Sequence, residues 1–450
     1  MKKLTPFLVF LIPLNFFSFN LNERIFYQKK IEEVFYKNRV WPKENKKPKP
    51  AFDEVINEEK IKEKVLNFLK KEQTLKTFFK KEIKTQDMEE ELKRIMKNTK
   101  DPEMLKEIFS ALKNNKYLIF ECLIKPIMVE RFFENYCLKF KENGLLEDID
   151  KFLEEENFSF EKIEAEDFNS FEENFKYMPI DSWDNGILDD PIPLNAGHKA
   201  IWTGAEMIIF GGFSLKFEKT LLIYKPSIDL WEKKVSPYHF TGYGSSVVWT
   251  GEEMIIWGGS DEIDGSGICF VIIYNPTLDR FSQVPPPGGL ECRIEHSAVW
   301  TGEEMIIWGG YNDENFLQTG AIYNLKTNSW KEITTKNAPS PRVEHCALWT
   351  GSSMIIWGGL DDLYLNSGGI YDPLKDEWKT IRLDTSTPSP RIYNSAVWTG
   401  KEMLIWGGEA YRNSLSDGAL YDPQKNTWRR IEQLEIYPEE RSRHSTIWTG

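Results

Sequence analysis

The sequence predicts an α + all-β chain, with a helical domain first and a β-propeller after it. Three observations carry that prediction. Up to about residue 177 the chain is rich in Lys, Glu, Phe, Leu and Ile, nearly free of glycine, and spaces its apolar residues with helical period. From about Trp183 that period stops and the triplet Trp-Thr-Gly takes over, at Trp202, Trp249, Trp300, Trp349, Trp398 and Trp448. The intervals run from 47 to 51 residues, the period of blade-by-blade β repeats. A length of 450 residues also exceeds one ordinary domain.

Residues 1–20 read as a signal peptide: Met1-Lys2-Lys3, then a mostly apolar run from Leu4 to Phe19 that is short for a bilayer span. Ser18 is the one small residue near its end, so no clean small-x-small cleavage site follows. Export is the expectation, and nothing downstream reaches the 18 apolar residues that a membrane span needs.

Residues 21–177 form the expected helical domain. From Asp87 to Met96, Met88, Leu92, Ile95 and Met96 share a face and the charges take the other. Asp101-Pro102-Glu103 opens the next helix: Asp caps, Pro suits the first turn, and Glu sits at the positive end of the dipole. Met104, Ile108 and Leu112 line its apolar face. A third run spans Tyr117 to Phe140, and Pro126 should kink or divide it.

Residues 178–450 form the expected propeller. Each unit reads as a strand ending at the Trp, a Thr-Gly turn, and a second strand such as Met305-Ile306-Ile307-Trp308 followed by Gly309-Gly310. A third strand ends in Tyr323, and a fourth carries Trp330. The same Tyr-aromatic pair recurs as Tyr224/Trp231, Tyr274/Phe281, Tyr371/Trp378 and Tyr421/Trp428. A second strand apolar at every position suits burial on both faces between neighbouring blades. Thr-Gly permits the positive φ of a tight turn, and Gly-Gly permits close backbone approach. Asn275-Pro276, Asp372-Pro373 and Asp422-Pro423 mark turns between third and fourth strands.

These landmarks make residues 198–450 similar to the bacterial kelch-repeat family; the stretch from His296 to Gly310 is close to that family's repeat. Leu221 and Val271 stand where later blades have Gly320, Gly368 and Gly418, so the third strands of blades 1 and 2 are expected to be irregular. The helical half resembles, more weakly, the N-terminal helical domain of SurA-type periplasmic foldases, which implies chaperone-like helical packing and not isomerase activity. Val40-Trp41-Pro42-Lys43-Glu44-Asn45 and Asn98-Thr99-Lys100-Asp101-Pro102-Glu103 resemble segments that accompany kelch repeats in some exported bacterial proteins. Five full blades plus part of another are counted, with Trp183 in an orphan fourth strand before the first. The expected chain is therefore truncated at its C-terminus, by about 35 residues if the ring has six blades.

Charge narrows the function. Lys and Arg number 57 against 70 Asp and Glu, and residues 1–150 are net +6 while 151–450 are −19. So acidic a second part repels phosphate backbones, which argues against nucleic acid as a partner. Five cysteines without a CxxC pair disfavour a zinc module and a disulfide framework, although two disulfides plus one free thiol stay open. Cys269 and Cys292, both in blade 2, could pair if the protein is exported.

Chain direction sorts the loops. The Thr-Gly and Asn/Asp-Pro turns share one rim; the second-to-third and fourth-to-first loops share the other. The turn rim barely varies between copies, whereas the loop rim differs in every one. Binding residues concentrate on loops over a rigid frame, so the candidate site is Asp261, Glu262 and Asp264; Tyr311, Asp313 and Glu314; Asp361, Asp362 and Tyr364; and Tyr411 with Arg412. Acidic and aromatic groups there suit a cationic or peptide partner, or a sugar stacked on Tyr.

His198, His296, His345 and His444 lie four residues before the repeat Trp, with Ser245 and Asn394 in that slot elsewhere. One histidine per blade sits too far from the next to share an ion, so a structural role is expected and no metal. Arg293, Arg342, Arg391 and Arg441 are expected to brace the entry loops, and Glu252-Glu253 and Glu303-Glu304 to be solvated turn charges. Nucleophile-elbow, phosphate-loop and HExxH motifs are missing, so no catalytic residue and no cofactor is assigned. The sequence thus points to an exported, non-catalytic binding protein that presents its loop rim to a protein partner. Two alternatives are a carbohydrate-active or glycan-binding propeller and a foldase-like periplasmic chaperone.

Overall fold

The computed structural model describes residues 19–140, 198–211, 220–238, 244–260, 268–285, 290–432 and 438–449. The expected signal peptide up to residue 18 and the orphan strand at Trp183 lie outside them. The chain separates into two compact units. Among the described residues, 19–37, 52–140 and 227–229 form the first, and Asn38–Ala51 groups with the sheets in the second.

The helical unit holds α1 (Leu21–Asn38), α2 (Phe52–Val55), α3 (Glu58–Phe79), α4 (Thr85–Asn98), α5 (Pro102–Ala111), α6 (Lys116–Ile119) and α7 (Lys125–Phe140). The caps follow the sequence. Asp101 accepts from the Met104 N–H at 3.0 Å with Pro102 in the first turn of α5. Met88, Leu92 and Ile95 are the buried apolar face of α4. Pro126 neither breaks nor sharply divides the third run. Residues Phe120–Ile124 form a π-helical turn joining α6 to α7. A proline lacks the N–H for the carbonyl four residues back and its ring crowds that carbonyl; widening the preceding turn relieves both. The same turn buries Glu121, which pairs with Arg24 at 2.7 Å and with Lys125.

In the second unit each repeat folds into a four-stranded antiparallel sheet with strands in sequence order. Blade 3 is representative: Ser297–Trp300, Glu304–Trp308, Gly320–Asn324 and Ser329–Glu332. First strands of successive blades lie side by side. Hydrophobic cores form between blades: Ile306, Trp308 and Ile322 of blade 3 pack with Met354, Ile356 and Tyr371 of blade 4. Second strands such as Met354–Trp357 are buried at every position, as their unbroken apolarity demands. The residues form five blades of a kelch-type propeller, after a set of N-terminal helices.

The third strands of blades 1 and 2 are regular, against expectation, over Thr220–Lys225 and Val271–Asn275. The physical reason is that Gly320, Gly368 and Gly418 have no positive φ, so the slot does not require glycine's backbone freedom. Leu221 and Val271 keep the ladder to the second strand at Phe210 and Trp257, and that to the fourth at Lys234 and Val284.

Residues 38–51 form a strap along the Thr-Gly turns of blades 1 to 3. The Val40 N–H donates to the Thr203 carbonyl, and Trp249 Nε1 donates to the Val40 carbonyl at 3.2 Å. Asn45 accepts from Trp300 Nε1 and donates to the Thr250 carbonyl, both at 2.8 Å. Buried Arg39 donates to Thr277 Oγ1 and lies 3.8 Å from Glu206. A Cβ on Gly251 would strike the Trp41 ring, whereas one on Gly351 or Gly400 would meet nothing within 4 Å. The strap therefore stops short of the turns of blades 4 and 5.

Candidate functional site: the loop rim of the propeller

Three layers build the loop rim. The deepest is the repeated arginine. Arg293, Arg342 and Arg391 are fully buried, without solvent exposure. Arg342 donates to the Gly358 carbonyl at 3.0 Å, the Ser367 carbonyl at 2.9 Å and the Ser340 carbonyl at 2.9 Å. Burial without a tight carboxylate partner pulls its guanidinium down to about 10, still charged at neutral pH. Each such arginine ties the entry loop to the Gly-Gly step and the start of the third strand, the bracing its repetition suggests.

The second layer is the repeated histidine. His296 Nε2 shares a hydrogen bond with Ser246 Oγ at 2.6 Å, His345 with Ser297 at 2.8 Å, and His444 with Ser395 at 2.8 Å. Each histidine thus latches onto the first strand of the preceding blade. Its ring lies edge-on to the buried Trp that ends that blade's second strand, as in Trp308–His345 at 5.2 Å. A Cβ on Gly309 would sit 2.7 Å from His345 Cε1, so the first glycine of the pair makes room for the next blade's imidazole. Burial holds His345 down to about 3 and His296 well below its ordinary value, so both are neutral. At the fifth slot Asn394 bonds Cys346, which replaces the serine, and burial pushes that thiol up to about 11.

The outer layer is the loops. Tyr311, Leu360 and Glu409 each pair through the backbone with the entry of their own blade, at Ile294, Val343 and Ile392. Asp361 Oδ1 accepts from the Leu363 N–H at 2.9 Å, and Asn312 Oδ1 from Asn315 N–H at 2.8 Å. These loops are therefore shaped by their own hydrogen bonds. The Tyr311 hydroxyl donates to the Asp313 carbonyl, its ring packs on Phe316 of the same loop, and Asp313 and Glu314 point to solvent.

Across the next boundary, Tyr364 of blade 4 and Tyr411 of blade 5 meet, with ring centroids 5.0 Å apart. Tyr411 is 67% exposed and Leu363 66%, giving an aromatic and apolar surface bordered by Asp361, Asp362 and Arg412. Tyr411 and Arg412, both with positive φ, form the tip of a two-residue turn between Glu409–Ala410 and Asn413–Ser414. Asp261, Glu262 and Asp264 lie outside the described residues.

Sequence reasoning missed the inner edge of this rim. Gly244, Glu295, Glu344, Tyr393 and Arg443 stand one residue before the His/Ser/Asn slot, and all have positive φ near 50–70°. Glu344 shares a hydrogen bond with the Tyr393 hydroxyl, and the Arg443 guanidinium lies 3.7 Å over the Tyr393 ring. Burial, then the nearby Glu295, push the Glu344 carboxyl up to about 7 against the pull of Arg443 and Lys199. That edge holds a carboxyl whose charge depends on what approaches it. A signal was present: the position before the His/Ser/Asn slot carries Gly, Glu, Tyr or Arg in different copies.

Internally latched blades carrying chemically varied loops define a kelch-type repeat fold. Residues 244–450 match the family described as the KLHDC2/KLHL20/DRC7 Kelch-repeats domain. No curated protein matches the chain. Cys269 and Cys292 of blade 2 are disulfide-bonded, with Cα atoms 4.6 Å apart. Among the described residues, no helix is long and apolar enough to cross a membrane.

Proposed function

We propose that this chain is an exported, non-catalytic binding protein whose propeller presents its loop rim to a protein partner. The observation that carries the reading is the Tyr364–Tyr411 surface. Two blades join there to expose aromatic and apolar groups above a frame braced by buried Arg342 and Arg391. Aromatic anchors ringed by charge are what protein interfaces use as energetic centres. Kelch repeat domains commonly mediate protein–protein interaction. The opposite rim supports the choice, because blades 1 to 3 there are already covered by residues 38–51. The disulfide in blade 2 supports export, since such bonds persist in oxidising compartments. A bacterial source and a foldase-like role for the helices rest on resemblance alone.

The test compares two variants of the full chain as bait for fractions of the source cell. Tyr364→Ala/Tyr411→Ala is expected to lose a partner that the parent chain retains. Lys401→Ala, on the uncovered turn of blade 5, is expected to keep it. Capture that survives the double substitution, or that fails only with Lys401→Ala, places recognition elsewhere.

A further inference from the structure

The turn rim holds a cavity of about 280 Å³ between the strap and blades 2 and 3, with both walls inside the propeller unit. Its apolar lining is mostly rings: Trp41, Pro48 and Pro50 from the strap and Trp300 from blade 3, with Leu325 beside them. The polar groups divide into spent and unspent. Asn45 uses both ends of its amide on Trp300 and Thr250, and Glu303 is paired with Lys46 at 3.1 Å. Glu253 and Glu304, the second members of the paired turn carboxylates, accept from Asn275 and Asn324. Lys47, Lys326 and Glu252 also line the cavity; none of the three forms a close ion pair among the described residues, and the two lysines are exposed and act on Glu303 from a distance. Glu252 is a half-buried turn carboxylate rather than a solvated one. Burial and Glu253 raise its carboxyl, with Arg39 and Lys49 opposing.

Two exposed ammonium groups and one half-buried carboxylate, none in a close ion pair and all set among indole and pyrrolidine rings, constrain the ligand. A purely cationic ring compound would face two ammonium groups, and a purely anionic one would face Glu252. A neutral ring would cover half-buried Glu252 without pairing it, which is costly, and would gain nothing from the two lysines. Small-molecule pockets span roughly 300–1,000 Å³, so this volume of about 280 Å³ falls just below that range and excludes an oligosaccharide or a folded peptide. We propose that the cavity binds a small zwitterion with a ring-shaped apolar body, the size of an aromatic amino acid. The ring lies against Trp41 and Trp300, the carboxylate on Lys47 and Lys326, and the ammonium on Glu252.

The probes are L-phenylalanine, its amide, which lacks the carboxylate, and 3-phenylpropionate, which lacks the ammonium. Each is titrated into the full chain, with binding read by tryptophan fluorescence and by calorimetry. L-Phenylalanine is expected to saturate, and each of the others to bind about tenfold more weakly, as loss of one charge-assisted hydrogen bond implies. Lys326→Met is expected to narrow the gap between phenylalanine and its amide, and Glu252→Gln the gap between phenylalanine and phenylpropionate. No saturation by phenylalanine, equal affinity for all three, or indifference to both substitutions overturns the proposal. Tyr364→Ala/Tyr411→Ala is expected to leave this binding intact, so failure here is separable from failure of the loop-rim reading.

Discussion

Glu344 and His345 are adjacent in the chain and pull stability in opposite directions with pH. Burial holds the His345 imidazole down to about 3, below its ordinary 6.5. Between those values the unfolded chain takes up a proton that the folded chain refuses, so stability falls as pH drops from about 6.5 toward 3. His345→Asn, the residue that blade 5 uses at 394, is expected to remove that slope. It also loses the Ser297 bond, at a cost of about 1 kcal/mol near neutral pH. Urea midpoints from pH 4 to 8 check both effects, and an unchanged acid slope would mean the imidazole is not buried neutral.

Glu344 works the other way. Its carboxyl, raised from 4.5 to about 7, keeps its proton in the folded state after the unfolded chain has lost it. Its contribution therefore declines as pH rises through that window and stays low above it. Glu344→Gln is expected to match the parent in acid and to exceed it in thermal midpoint at pH 8. A variant that is less stable at pH 8 contradicts the assignment.

At the scale of elements, the strap is held to the blades by individual hydrogen bonds and packing rather than by a strand ladder. Asn45 is the polar anchor that bridges blade 2 at Thr250 and blade 3 at Trp300. Asn45→Ala is expected to cost about 1–2 kcal/mol and to speed amide exchange in residues 40–46 while the blade strands stay protected. Uniform loss of protection across the blades would instead make the strap part of the global core. The blade strands themselves were plain in the sequence, because Met-Ile-Ile-Trp can only be a strand covered on both faces. The strap was not, since Val40 to Asn45 has no periodicity and its structure comes from the turns beneath it. Pro126 sits between these cases: its disturbance of the helix was legible, but the π-helical turn that answers it, with Glu121 buried against Arg24 and Lys125, was not.

For the molecule as a whole, adhesion between blades matters more than any single sheet. From blade 2 to blade 5 each boundary joins an apolar core to a tilted indole pair such as Trp308–Trp378 at 5.5 Å, and the boundaries of blades 2/3 and 3/4 add a histidine latch. The repeat made that frame readable: a residue that recurs every 47 to 51 positions must meet the same neighbours each time, so its role is structural in every copy. The same logic exposed the loop rim as the place where copies diverge. Amino-acid order by itself settled the helix-then-blades organisation, the strand order within each blade and the bracing arginines, because these rest on local pattern and repetition. Tertiary structure alone decided that Tyr364 meets Tyr411, that Glu344 sits beside Tyr393 and Arg443, and that residues 38–51 roof the turns of three blades. Those contacts join segments dozens to hundreds of residues apart, and no local preference encodes a distance that only the folded path brings to a few ångströms.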